Sequence, residues 1–312
     1  MTLTFKNFNL KKKLDHLHPN SLTHLHDAEH IKSLGKGTFG CVDLYKCVKC
    51  ETCNNKILCN KFFVVKKICS NYINKKNIKK SLLNEYTIST LLQHPNIRKT
   101  LDIDLLDNCL IYEYFQGIDF YEYLSMSNIN KCHNLVFDHN EQLTFYEQFI
   151  NGVEYMHNIG IAHMDLKLEN IMIDTSNTLD KKVKIIDFGE SKVFHDTNHI
   201  KTVITEYGIH GSEPYIAPEE FIEEFYDPEK IDVWSCGIIL YQILYIGIPW
   251  RKACINNLKY KLFIDCYLKK NLSVIFHKQI ANDIFYKMLN PDPFTRCRIK
   301  DIKNEIYKLK NL

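Results

Sequence analysis

The chain has 312 residues, 45% of them hydrophobic and 25% charged, with a net charge of +3 at neutral pH. That length can bury a sizeable core, and because single cores tend to split beyond about 250–300 residues, it suits one two-lobed unit or two small domains. So small a net charge gives no electrostatic argument for nucleic acid as a partner, and the composition is that of a globular protein rather than a fibrous or disordered one.

Residues 1–29 read as a polar N-terminal extension. They carry Lys11, Lys12 and Lys13 and a run of histidines, His16, His18, His24 and His26, with His30 just beyond. No cysteine or carboxylate pattern completes a tetrahedral metal site there, so a solvated leader is expected. The opening residues Met1 to Lys6 lack the apolar segment of a secretory signal. With twelve cysteines in the chain, a reducing cytoplasmic or nuclear setting is expected rather than a disulfide framework.

The first chemical motif is Gly35-Lys36-Gly37-Thr38-Phe39-Gly40-Cys41-Val42, which satisfies G-x-G-x-x-G-x-V. Glycines let a backbone approach phosphates with no Cβ in the way. A dinucleotide-binding turn of the same spelling would open a helix. Here Val42, Leu44 and Tyr45 continue as a second strand, which points to a phosphate-covering hairpin. Cys47, Cys50, Cys53 and Cys59 then fall between two predicted strands. Four thiols so close together could hold one structural Zn²⁺ or form a loop of free thiols, and their overlapping spacing differs from the common pair of C-x2-C knuckles.

Phe63-Val64-Val65-Lys66 is a β-rich run whose alternation turns Lys66, rather than Lys67, inward. A buried lysine needs a partner. The predicted helix from Ser81 to Gln93 supplies Glu85, which would otherwise read as a surface charge. Leu110 to Asp119 reads as a strand running into a turn. Residues 127–142 are polar and rich in Asn, and read as a loop insertion. From Leu143 to Asn158, Phe145, Phe149, Val153 and Met156 recur at helical spacing.

That helix leads into Ala162-His163-Met164-Asp165-Leu166-Lys167-Leu168-Glu169-Asn170, followed by Asp187-Phe188-Gly189. The stretch gathers what phosphoryl transfer needs: a carboxylate to receive a hydroxyl proton, a cation for the moving phosphate, and hard oxygen ligands for Mg²⁺. Downstream come Gly211-Ser212-Glu213-Pro214-Tyr215-Ile216-Ala217-Pro218-Glu219 and the apolar stretch from Val233 to Trp250. Ser235, Gln242, Gly247 and Pro249 interrupt that stretch, so it reads as a buried core helix and not a membrane span. After Pro293-Phe294-Thr295-Arg296 the chain closes as a lysine-rich amphipathic helix with a solvated face.

In this order the motifs resemble those of eukaryotic protein kinases, from about Ile31 to Lys308. The resemblance implies an α+β, bilobal protein-kinase-like fold: a small antiparallel β-rich N-lobe with one main helix, about residues 30–113, a hinge at about 113–117, and a larger, mostly helical C-lobe, about 118–308. Residues 47–59 would be a Cys-rich insertion. ATP and Mg²⁺ are the implied cofactors, with structural Zn²⁺ as a further possibility at the four thiols. Gly35, Gly37, Gly40 and Val42 would cover the phosphates, Lys66 would contact them, and Glu85 would pair with Lys66. Tyr112 takes the gatekeeper position. The backbone of Glu113 to Phe115 would bind adenine, Met172 would pack beneath it, and Asp119 could reach the ribose.

In the same way Asp165 and Lys167 are implied as catalytic residues, and Asn170 and Asp187 as Mg²⁺ ligands. His163 would be structural. Ser212 would bond Asp165 and Lys167, Asp232 would brace the loop backbone, and Glu219 would pair with Arg296. A lysine two residues after Asp165 resembles serine/threonine kinases, so protein substrates are implied. The alternatives are a pseudokinase that only binds, and a kinase of small molecules. The wording of the motifs is similar to that of fungal kinases regulating permeases and ion transporters. The abundance of Asn, Ile and Lys is that of an AT-rich genome, whether of a microbe or of a large DNA virus carrying a homologue. One departure stands out: Met164 replaces the arginine that in the family pairs with a phosphorylated activation segment. Activity is therefore expected not to need that event.

Overall fold

Three strands open the described part of the chain, the third, Phe62–Ile68, the richest in β-branched and aromatic residues. The computed structural model describes residues 28–37, 40–47, 61–68, 75–131, 139–177, 179–194, 209–223, 225–276 and 279–310. These fall into two compact units. One comprises the described residues up to Gln93 together with Arg98–Phe115, and the other His94–Ile97 and the described residues from Gln116 onward.

The first unit is built on a five-stranded antiparallel sheet in the order β1-β2-β3-β5-β4. Its strands are β1 (Ala28–Gly37), β2 (Gly40–Cys47), β3 (Phe62–Ile68), β4 (Thr100–Asp104) and β5 (Cys109–Glu113). Alternation sends successive side chains to opposite faces. Phe63 and Val65 pack with Cys47, Cys109 and Ile111 on one face. Val64 and Ile68 pack with Leu110, Tyr112, Ile103 and Leu82 on the other. Leu82 comes from helix α1 (Lys75–Leu91), whose buried stripe is Leu82, Glu85, Ile88 and Ser89. Two boundaries differ from the sequence reading. The strand β1 takes in Ala28 and Glu29, which pair with Cys47 and Lys46, so the leader is shorter than 1–29. The helix runs Lys75–Leu91, not Ser81–Gln93: the polar residues before Ser81 give no apolar signal, and Pro95 disfavours helix at its approach. His16, His18, His24 and His26 lie outside the described residues, while His30 sits in β1, 3.5 Å from Asp43.

The second unit begins inside what the sequence assigns to the small lobe. Asn96 Nδ2 donates to the Val183 carbonyl at 2.9 Å and to Gln148 Oε1 at 3.1 Å, and Ile185 N–H returns a bond to the Asn96 carbonyl. These bonds explain why His94–Ile97 group with the larger unit. A small sheet follows, in the order β6-β8-β9, formed by β6 (Gly117–Asp119), β8 (Ile171–Asp174) and β9 (Lys182–Ile185), while the short β7 (Ile161–Ala162) pairs with β10 (Lys192–Val193). Helices α2 (Phe120–Lys131) and α3 (His139–Asn158) correct the loop expected at 127–142. Residues 127–131 and 139–142 are helical, and 132–138 lie outside the described residues. The polar sequence hides the extension of α2, which is anchored upstream by buried Phe120 and Leu124.

Helix α4 (Pro228–Tyr245) is the centre of this unit, buried on nearly every side. Asp227 caps its N-terminus by accepting from Glu229 N–H, and Pro228 suits the first turn. It stops at Ile246, whose left-handed backbone (φ 54°) ends the helix before Trp250, so the apolar stretch Val233 to Trp250 is not one helix. Trp250 is nonetheless buried, 5.8 Å from the Trp234 ring. No described helix is long and apolar enough to cross a membrane. The remaining helices are α5 (Leu258–Leu268), α6 (Gln279–Met288) and α7 (Lys303–Lys310). In α7, Lys303 and Lys310 reach Glu154 and Glu147 of α3 at 2.7 and 2.9 Å.

Candidate active site

In the first unit Val42, Lys66 and Tyr112 share the sheet face that carries α1 and its Glu85. Lys66 stands on β3 opposite Val42 and Leu110. Its Nζ lies 3.0 Å from both carboxylate oxygens of Glu85. Glu85 is the one carboxylate in the buried stripe of α1, at 2% exposure, a position that would be costly without a cation. Lys67 points elsewhere: its Nζ is 4.0 Å from Asp107, and both side chains are about half exposed. At Glu85 the structure adds a donor that sequence reasoning missed, the Tyr112 hydroxyl, 2.5 Å from Oε1.

The glycine-rich hairpin divides into two kinds of position. Gly35 pairs with Val42 and Gly37 with Gly40, while Thr38 and Phe39 lie outside the described residues. A Cβ on Gly40 would meet the Lys67 carbonyl oxygen at 2.0 Å, so close packing of β2 on β3 already requires glycine there. A Cβ on Gly35 would meet nothing within 4 Å. Gly35 is thus the position whose glycine the fold itself does not explain. Val42 packs at the edge of the cluster holding Val64 and Tyr112. Glu113 spends its N–H on the Lys99 carbonyl and accepts from Lys99 N–H through its side chain. Phe115 is the last residue of this unit.

Cys47 ends β2 and is buried with Phe63, Val65, Cys109 and Ile111. Cys50, Cys53 and Cys59 lie outside the described residues. Among the described residues no group of three or more His, Cys, Asp or Glu side chains is gathered as for a metal ion.

In the second unit the loop at 163–170 is held from below by one carboxylate. Asp232, fully buried in α4, accepts from His163 N–H at 2.8 Å and Met164 N–H at 2.9 Å. His157 Nε2 lies 2.9 Å from the same carboxylate. Met164 adopts φ 69°, a left-handed backbone that a long side chain rarely takes. The two bonds to Asp232 offset that strain and aim the next residue, Asp165. Met164 itself is buried at 2% exposure. His163 lies tilted against Phe188, with ring centroids 5.4 Å apart, and its Nε2 lies 3.0 Å from the Ile186 carbonyl. Its surroundings are those of a packed structural histidine.

Above this base, three side chains form a triangle. Lys167 Nζ donates to Asp165 Oδ2 at 2.7 Å and to Ser212 Oγ at 2.9 Å, and Ser212 Oγ donates to Asp165 Oδ1 at 3.0 Å. Asp165 and Lys167 remain 17% and 22% exposed, so the triangle is open to solvent. Asn170 Nδ2 donates to the Asp165 carbonyl at 2.8 Å and to its Oδ2 at 3.2 Å. That commits the nitrogen and leaves Oδ1 as the acceptor. The Asn170 carbonyl takes Ile186 N–H at 3.0 Å, which ties the loop to the strand leading into Asp187. Asp187 also has a left-handed backbone, φ 63°. A carboxamide oxygen and a carboxylate on two tethered segments suit a hard divalent cation. Met172 lies on β8 beside Asp119 of β6. Asp119 Oδ1 also accepts from Glu122 N–H at the start of α2.

Two further pairs frame the segment from 187 to 219. Glu219 and Arg296 form a doubly hydrogen-bonded pair at 2.6 and 2.9 Å, with side chains 1% and 0% exposed. Arg296 also donates to the carbonyls of Asn290 and Lys230, and its guanidinium lies 4.9 Å from the Trp234 ring. Glu190 and His210 stand 3.4 Å apart and join the two ends of the segment. The bond from His210 holds the Glu190 carboxyl below its ordinary range. Glu220, beside Glu219, accepts from the N–H groups of Ala217 and His210, and burial pushes its carboxyl up to about 7.

Residues 28–308 match the protein kinase domain family. The chain is 35% identical over 223 residues to the serine/threonine-protein kinase ppk8 of Schizosaccharomyces pombe, covering 70% of this chain and 41% of that one. It is 33% identical over 284 residues to the serine/threonine-protein kinase HAL4/SAT4 of Saccharomyces cerevisiae, covering 87% and 44%. To the serine/threonine-protein kinase SRK2J of Arabidopsis thaliana it is 31% identical over 291 residues, covering 91% and 77%. The chain thus spans less than half the length of the fungal relatives it matches.

Proposed function

The chain belongs to the serine/threonine protein kinase family, and we propose that it transfers the γ-phosphate of ATP to serine or threonine hydroxyls of proteins. The observation that carries the reading is the triangle of Asp165, Lys167 and Ser212, with Asn170 bonded to the same carboxylate. Asp165 is the group that orients the substrate hydroxyl and accepts its proton late in the transfer. Lys167 holds the Asp165 carboxylate in place and offers its positive charge to the moving phosphoryl group. Ser212 fixes the third corner.

Asn170 Oδ1 and the Asp187 carboxylate would hold Mg²⁺. Those two groups would thereby place a positive charge where the phosphates need neutralising. On the first unit, Lys66, fixed by Glu85, is the cation for the α- and β-phosphates. Gly35, Gly37, Gly40 and Val42 form the covering hairpin, and the backbone from Glu113 to Phe115 is this unit's adenine contact; on the second unit, Met172 and Asp119 are the residues assigned to adenosine. Burial of Met164 in place of a cation supports transfer without a phosphate on the segment after Asp187.

The test is γ-phosphate transfer from Mg·ATP to a serine/threonine peptide pool, comparing the unaltered protein with Asp187→Asn. Phosphatase-treated and untreated samples are run side by side. Transfer to serine and threonine is expected in both, and in Asp187→Asn a fall of at least about 10²-fold, the scale set by losing one preorganised electrostatic element. Mg·ATP binding with no transfer in either sample would replace this reading by that of a binding module.

A further inference from the structure

The Tyr112 hydroxyl donates to Glu85 Oε1 at 2.5 Å, and the same oxygen takes Lys66 Nζ at 3.0 Å. Tyr112 is fully buried and Glu85 nearly so. In the β3–β5 register Tyr112 faces Val64 and Lys66 faces Leu110. Residues two apart on a strand share a face, so the ring and the lysine rise from the same side of the sheet. On the ring lies a second cation: the Arg98 guanidinium carbon is 4.0 Å from the ring centroid. Arg98 is buried, and its Nε has no hydrogen-bond acceptor among the described residues.

The chemistry of the two donors differs. A lysine ammonium is a compact point charge on a flexible stem and exerts little directional control over a carboxylate. A phenol on a packed ring has few rotatable bonds and donates along one fixed direction. Glu85 sits on α1, whereas Tyr112 sits on β5, an interior strand paired on both sides by β3 and β4. The hydroxyl therefore ties the helix carboxylate to the strand framework independently of the lysine. A cation on the ring face is itself held by the ring and resists its rotation.

We infer that Tyr112 is a positioning residue for phosphoryl transfer: it fixes the Glu85 carboxylate, and through it Lys66 Nζ, with Arg98 clamping the ring. The inference rests on the reading of Lys66 as the phosphate-contacting lysine.

The test is Tyr112→Phe, which removes one oxygen and keeps the ring. Initial rates are measured with Mg·ATP varied at saturating peptide, then with peptide varied at saturating Mg·ATP, after a thermal melt establishes that the variant folds. A hydrogen bond to a buried charge predicts a loss of about tenfold or more in kcat/KM for ATP, with the peptide KM unchanged. The same replacement in a Glu85→Ala background should cause no further loss, since the hydroxyl then has no carboxylate to hold. A merely structural tyrosine would weaken both substrates alike, or add its loss in both backgrounds, and either result overturns the inference. So do ATP parameters in Tyr112→Phe equal to those of the unaltered protein. Absence of transfer by the unaltered protein would overturn the kinase reading and this inference with it, whereas intact transfer in Tyr112→Phe overturns the inference alone.

Discussion

Each unit is organised around one cation–carboxylate pair, and the two pairs differ in what surrounds them. Arg296 and Glu219 are sealed, with guanidinium N–H groups also bonded to the carbonyls of Asn290 and Lys230. Lys66 and Glu85 are lopsided: the carboxylate is 2% exposed, but the lysine is 21% exposed. A pair this buried, with four of the five guanidinium N–H donors committed, can only hold the fold. A pair with one partner at the surface can meet a third charge. The contrast separates a structural ion pair from a working one by exposure and donor saturation, not by distance, because both pairs are within 3.0 Å.

Breaking the sealed pair should have the largest effect on stability. Arg296→Met leaves Glu219 as an uncompensated buried charge and should lower unfolding free energy in urea by about 3–5 kcal/mol. Removing the working cation should act first on chemistry. Lys66→Met should lower kcat/KM for ATP by about 10²–10³-fold. Its urea midpoint should fall less, by about 1–3 kcal/mol in free energy, since Glu85 keeps the Tyr112 hydroxyl. If Lys66→Met unfolds as readily as Arg296→Met, the distinction between the two pairs fails.

The smallest effect sharpens the comparison, because Glu219 and Glu220 are neighbours in sequence with opposite solutions to burial. Glu220 accepts from two backbone N–H groups, with no arginine across from it, and its carboxyl is raised to about 7 from 4.5. Between those values the folded protein holds a proton that the unfolded chain has released. The contribution of this group is therefore full below pH 4.5 and is lost as pH rises towards 7. Glu220→Gln should remove that slope and gain about 1–3 kcal/mol at the alkaline end, measured by urea unfolding from about pH 5 to about pH 8. Parallel stability curves for the two proteins would show that His210 and the backbone donors already compensate the charge.

Much of the candidate site can be read from residue order. The strand alternation that turns Lys66 inward, and the short spacing of Asp165, Lys167 and Asn170, are local facts. What escapes the sequence depends on partners far along the chain. Tyr112 reads as a strand residue, placed at the gatekeeper position by resemblance, and nothing near it reveals that Glu85 will meet its hydroxyl. His157 reads as the last turn of a helix, and only the arrival of Asp232 gives it a partner. The helical ends at 127–131 and 139–142 escape for another reason. Polar stretches carry no periodic signal: α2, anchored by Phe120 and Leu124, runs on into the first, and α3, anchored by Leu143 and Phe145, begins in the second. His94–Ile97 join the larger unit through Asn96 amide bonds that no hydropathy pattern marks.

The brace on Asp232 also bears on how the chain is made. The loop carrying Asp165 leaves the ribosome long before its support, since His163 and Asp232 are 69 residues apart. Glu219 then waits a further 77 residues for Arg296. At about 5–20 residues per second, the loop and the segment after it spend several seconds with their buried polar groups unmatched. During that interval chaperones and proteases meet an incomplete large unit. A ribosome paused before Arg296 would therefore hold a nascent chain whose loop with Asp165 is already synthesised but whose buried Glu219 has no counterion.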